Sequence, residues 1–149
     1  KFNVIIIQHA SFSSIKTNFA TNLFQLMAKK SSVTDVLAEV VVKGMQEKKA
    51  KNIIKIDLTK INEAAADFFI ICHGDSDRQV KAIADSIEDE TLKAMQEKPH
   101  SREGQAENRW VLLDYLDVVV HVFQKDVRDF YEIEDIWHDG VMTNYEDLA

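Results

Sequence analysis

Residues 109–123, RWVLLDYLDVVVHVF, bring an indole, two carboxylates and an imidazole together in a run of β-branched and aromatic residues. Such runs favour strands, and Asp114-Tyr115-Leu116-Asp117 breaks this one in the middle. With Tyr115 and Leu116 as a two-residue turn, Asp114 faces Asp117, Leu112 faces Val119 and Trp110 faces His121. Alternation along each strand then sorts the side chains. Val111, Leu113, Val118, Val120 and Val122 share a wholly apolar face. Trp110, Leu112, Asp114, Asp117, Val119, His121 and Phe123 share the other. Like charges directly opposite on paired strands are destabilising, so the two aspartates call for a cation. Arg109 is an internal source. The other source is a Lys or Arg of a partner, with Trp110 as the aromatic anchor that interfaces favour.

Other chemistry-bearing groups are less well arranged. Gly74-Asp75-Ser76-Asp77 follows an apolar run and precedes a helical pattern, the place for a phosphate cradle or a metal. It lacks the glycine spacing of a P-loop or a dinucleotide fingerprint, and ordinary helix capping accounts for it. Asp75, Asp77 and Asp114 would form a carboxylate cluster for two-metal chemistry only if their strands bring them together. Cys72 and His73 are adjacent in an expected strand, so they face opposite ways and cannot pair as thiolate and imidazole. Ser76 and His121 have no nucleophile-elbow context. No metal-ligand spacing is present.

The elements that position these residues follow from periodicity. A first helix is expected over 32–49, with Ser32 and Asp35 as a capping box and Val33, Val36, Leu37, Val40, Val41 and Gly44 as its inner stripe. Strands are expected over 52–58 and 67–73. The second, with Phe68-Phe69-Ile70-Ile71 in succession, reads as buried on both faces and central. Ser76 and Gln79 cap a long helix whose stripe is Val80, Ile83, Ala84, Ile87 and Leu92, and Pro99 stops it. A polar loop over 100–108 leads to the hairpin. A last helix is expected over 126–137, with Val127, Phe130, Tyr131, Ile133, Ile136 and Trp137 inward. The order implies an α+β fold, a mixed β-sheet with helices packed mainly on one face.

Composition bounds the function. The 149 residues suffice for one domain with a real core. A single cysteine excludes a disulfide framework and fits a reducing, cytoplasmic setting. No apolar run approaches the roughly 20 residues that span a bilayer. Residues 1–26 hold two lysines and no acid, and read as an atypical extension, whether transit-peptide-like or an over-extended reading frame. The run Val4-Ile5-Ile6-Ile7 within them could form a stray strand. The domain is expected over 27–138, with a weakly ordered tail over 139–149. From Met27 onward 16 basic and 25 acidic residues leave a net charge of −9. Such a body is repelled by phosphate backbones, which argues against autonomous nucleic-acid binding. It attracts a basic protein partner.

Several strings together resemble the ribosomal silencing factor, or Iojap, family. They are Asp67-Phe68-Phe69-Ile70-Ile71 with Gly74, and Arg78-Gln79-Val80-Lys81-Ala82-Ile83-Ala84-Asp85. They continue with Glu103-Gly104, Trp110 to Tyr115, Asp117 to Phe123, and Arg128-Asp129-Phe130-Tyr131 through Trp137. The resemblance implies a nucleotidyltransferase-like fold without that enzyme's aspartate pair. It implies a non-enzymatic protein that docks on large-subunit ribosomal protein fourteen, blocks subunit joining and represses translation. Many members form homodimers. The chain departs from the family at Leu116, where glycine is usual, and at Ala66, where Thr or Ser is usual. The partner-binding set expected on the hairpin is Trp110, Asp114, Tyr115, Leu116, Asp117 and His121. No catalytic residue, metal or cofactor is expected. A divergent metal-dependent nucleotidyltransferase or phosphate-binding enzyme using Asp75, Asp77 and Asp114 is the alternative.

Overall fold

The computed structural model describes the backbone of residues 2–149 and the side chains of residues 18–30 and 33–149. The chain divides into two compact units, Lys1–Val33 and Thr34–Ala149. In the first unit the backbone is helical from Phe2 onward, so the run from Val4 to Ile7 is helix and not a stray strand. The described side chains there, Phe19, Leu23, Phe24, Leu26 and Met27 among them, are exposed. The helix, α1 (Phe2–Glu47), does not begin at Ser32 as expected. No proline or glycine precedes Gly44, so nothing in the sequence interrupts it. The side-chain half of the Ser32 capping box lies outside the described residues.

The second unit is a six-stranded mixed sheet with helices. Its strands are β1 (Lys51–Asp57), β2 (Phe68–Gly74), β3 (Ser101–Glu103), β4 (Trp110–Asp114), β5 (Val118–Gln124) and β6 (Val141–Asn144). They lie in the order β3-β4-β5-β2-β1-β6. Only β2 and β5 run parallel; the other neighbours are antiparallel. Every residue of β2 is buried, as a central strand of continuous apolar residues requires. The main helices, the 34–47 part of α1 and α2 (Asp77–Met95), cover one face. Between them and the sheet lie Leu37, Val41, Met45, Val80, Ile83, Ile87, Ile70, Leu113 and Val120. The buried stripe of α1 turns out to be Leu37, Ala38, Val41, Val42 and Met45, whereas Val36 is exposed. Gly44 lets the two helices touch: a Cβ there would lie 2.7 Å from the Cα of Ile87.

Helix α2 begins as expected, with the Ser76 side chain accepting from the backbone N of Gln79 at 3.1 Å. It ends at Gln96 in the left-handed conformation, three residues before Pro99. Leu92, expected inside, is exposed, and Thr91 is buried in its stead. The opposite face of the sheet carries a smaller apolar cluster of Ile56, Leu58, Phe69, Ile71, Phe123 and Ile133. Two short helices, α3 (Lys125–Tyr131) and α4 (Ile133–Ile136), lie over it. They replace the single helix expected over 126–137, because Glu132 adopts a left-handed φ of 46° between them.

Both sheet edges were hidden in segments read as irregular. The polar loop contains β3, held on the edge by Arg102, whose Nη1 donates to Asp85 Oδ1 at 2.8 Å and to Glu88. The terminal tail contains β6, antiparallel to β1 with Ile54 opposite Asn144 and Asp57 opposite Val141. Tyr145 fastens it, its N donating to Ile53 O at 3.0 Å and its hydroxyl to Glu39 at 2.7 Å. Among the described residues no helix is long and apolar enough to cross a membrane.

Candidate functional site

The hairpin faces form as the alternation requires, but its register is slipped by two residues. Trp110 lies opposite Phe123, Leu112 opposite His121 and Asp114 opposite Val119. The turn is centred on Leu116 and Asp117, closed by Tyr115 N donating to Val118 O at 2.9 Å. Leu116 takes a φ of 71° at the first central position, where a II′ turn usually has glycine. A slip of two leaves every side chain on its own face. It does, however, separate the aspartates. Asp114 and Asp117 are not cross-strand neighbours, and Asp114 Oδ1 accepts from Leu116 N at 2.8 Å. Arg109 does not serve them either, since its Nη2 pairs with Asp126 at 2.9 Å. The like-charge pair inferred from the shorter turn therefore does not exist.

Trp110 organises the outer face. Its ring stacks on Phe123 with centroids 4.8 Å apart and meets Tyr131 at 5.1 Å. Its Nε1 donates to Nδ1 of His121 at 3.1 Å. Gly104 brings the preceding loop against this strand: at φ 81°, any Cβ would fall 1.9 Å from the Trp110 carbonyl oxygen. Beside the indole a groove of about 610 Å³ is lined by Gly104, Glu107, Arg109, Asp126, Phe130 and Tyr131, among others. Phe130 is 80% exposed and Tyr131 50%, although both were expected to point inward. The break at Glu132 frees them.

One buried cation anchors α3 behind this groove. Arg128 is 4% exposed. Its Nε donates to Glu134 Oε1 at 2.6 Å and its Nη1 to Asn52 O at 2.8 Å. Nη1 also lies 3.0 Å from His73 Nδ1, which must accept because a guanidinium only donates. Burial, then the nearby charge of Arg128, holds the His73 pKa below its usual value. Helical periodicity did not mark Arg128 for burial; it entered the sequence reading only within the string Arg128-Asp129-Phe130-Tyr131 that carries the family resemblance.

The six residues expected to meet a partner divide into two groups. Asp114 and Asp117 are half-buried, Trp110 is half-buried and Leu116 is 56% exposed. Tyr115 and His121 are buried, at 7% and 6%, so neither can touch a partner on this surface. Tyr115 turns under α2, its hydroxyl 3.0 Å from Thr91 Oγ1, and burial pushes its pKa up to about 12. The catalytic alternative loses its third carboxylate. Asp114 lies at the level of Phe69, whereas Asp75 and Asp77 follow Gly74 at the other end of β2, about 17 Å away. Cys72 is wholly buried, with its pKa raised to about 12 by burial, as a core thiol.

Comparison with known proteins places the chain in a family. A family model described as "Ribosomal silencing factor during starvation" matches residues 30–149. This chain belongs to the ribosomal silencing factor family. The ribosomal silencing factor RsfS of Bacillus subtilis (strain 168) is 40% identical over 111 residues, covering 74% of this chain and 92% of that one. The chloroplastic protein Iojap of Zea mays is 37% identical over 73 residues, 47% of this chain and 30% of its own. A crystal structure of a Chromobacterium violaceum protein matches the fold with a TM-score of 0.66 at 36% identity, covering 70% of this chain and 85% of that one. In this chain, then, the resemblance carried by the short strings extends to every strand of the sheet. The matched span takes in β3 and β6, the two edges that sequence reading left as loop and tail.

Proposed function

We propose that this chain binds the large ribosomal subunit through ribosomal protein fourteen. There it obstructs the subunit-joining face, keeps the small subunit away and lowers translation. The family match over residues 30–149 supports this reading. The binding surface proposed is the outer face of the hairpin, with Trp110, Asp114, Leu116 and Asp117 in front and His121 supporting the indole from within. Phe130 and Tyr131 extend it across α3. A half-buried indole with exposed aromatic neighbours is the kind of centre on which binding energy concentrates. The acidic body favours a basic ribosomal protein and speeds the encounter. The action is steric and needs no bond to be made or broken.

The test is subunit joining. Purified small and large subunits are mixed with increasing protein, and whole ribosomes are read by light scattering and on gradients. The joined fraction should fall as the protein saturates the large subunit, most strongly when the protein is added to large subunits first. An unchanged joined fraction, or inhibition that requires preincubation with small subunits, would overturn the proposal.

A further inference from the structure

We infer that His121 is a positioning residue that fixes the indole of Trp110 for docking, an inference that rests on the proposed role of Trp110 at the ribosomal surface. The indole N–H only donates, so His121 Nδ1, 3.1 Å away, must accept. That assignment makes the imidazole neutral and puts its single proton on Nε2. Nε2 is itself buried and has no hydrogen-bond partner. A buried N–H without a partner costs stability, and a plain hydrophobe would avoid that cost. The ring is therefore poorly explained as core filling.

Its geometry accounts for it as a holder of the indole. His121 packs against Phe69, at a ring distance of 5.1 Å, and against Phe123, stacked at 6.1 Å, and these neighbours restrict the imidazole. The indole is held at its nitrogen by His121 and across its face by Phe123, with centroids 4.8 Å apart. These two contacts fix the orientation of the ring, leaving its remaining edge toward the groove and Tyr131. An indole ordered before binding loses less freedom when the partner arrives. No carboxylate or cation within hydrogen-bond reach competes for Nδ1 among the described residues, and burial keeps the imidazole neutral.

The experiment compares His121→Leu, which removes the acceptor, with His121→Asn, whose side-chain oxygen can replace Nδ1. Two readouts are taken: the indole N–H resonance of Trp110, assigned with Trp110→Phe, and affinity for purified large subunits. His121→Leu should shift and broaden the Trp110 resonance, leave the melting temperature equal or higher, and weaken binding about tenfold. His121→Asn should keep a single sharp resonance and bind within about threefold of the parent. An unmoved resonance or unchanged binding in His121→Leu overturns the inference. Should His121→Leu fail to fold, His121→Asn decides: retained resonance and binding support it, and loss of both with the fold intact refutes it. If Trp110→Ala itself binds normally, the docking role of Trp110 fails, while the resonance still reports whether His121 holds the ring.

Discussion

The two faces of the β4–β5 hairpin are made from the same fifteen residues and are built to different standards. Under the helices, Val111, Leu113, Val118, Val120 and Val122 are all at 0% exposure and carry no polar side-chain atom. On the outer face Trp110 is half-buried, His121 leaves a buried nitrogen unpartnered, and the groove beside them stays open. The first face is optimised for folding alone. The second keeps features that folding would discard, and local departures of that kind are expected where function is located. The contrast separates core from proposed site without any catalytic motif to guide it.

The contrast can be broken most sharply at Leu113. Leu113→Ala removes a fully buried side chain and should cost about 4 kcal/mol in urea unfolding. The molecules that remain folded should still bind large subunits normally. A binding defect at equal folded concentration would mean the inner face also takes part in docking.

Acid acts on the outer face next. His121 has a folded-state pKa lowered to about 4 by burial. Its ordinary value is about 6.5, so the unfolded chain binds more protons between those limits, and stability falls as pH drops through that window. The loss should approach about 3 kcal/mol at pH 4. His73, also lowered, adds in the same direction. Urea unfolding from pH 7 to 4 measures the slope, and His121→Leu should flatten it. An unchanged slope in that variant would assign the acid sensitivity elsewhere.

The smallest effect tests the turn. Leu116→Gly relieves a left-handed residue, a gain of about 1 kcal/mol, partly offset by the extra freedom glycine gives the unfolded chain. Stability should rise by about 0.5 kcal/mol while binding weakens severalfold, because an exposed leucine leaves the proposed surface. Equal signs for the two readouts would remove Leu116 from that surface.

What was legible in the sequence follows the same division. Face assignment survived a wrong turn because strand alternation has period two and the register error was also two. The turn itself was hidden because a leucine, not a glycine, carries the positive φ. Glu132 hides the α3–α4 break in the same way, which sent Phe130 and Tyr131 to the wrong side. The central strand and the Ser76 cap were plain because continuous apolar runs and caps are local signals. Edge strands β3 and β6 were not, since runs of three or four residues become a strand only when a neighbour offers its backbone. Arg128 and His121 were opaque for a related reason. Their burial is decided by partners distant in sequence, Asn52 and His73 for one, and Phe69 for the other.

The most direct test is co-sedimentation of the parent chain and Trp110→Ala with purified large subunits, with small subunits as the control. The parent should pellet with large subunits and not with small ones. Trp110→Ala should remain folded and bind about thirtyfold more weakly, the consequence of losing about 2 kcal/mol from an aromatic anchor. A folded Trp110→Ala that pellets with large subunits as well as the parent does would contradict the account.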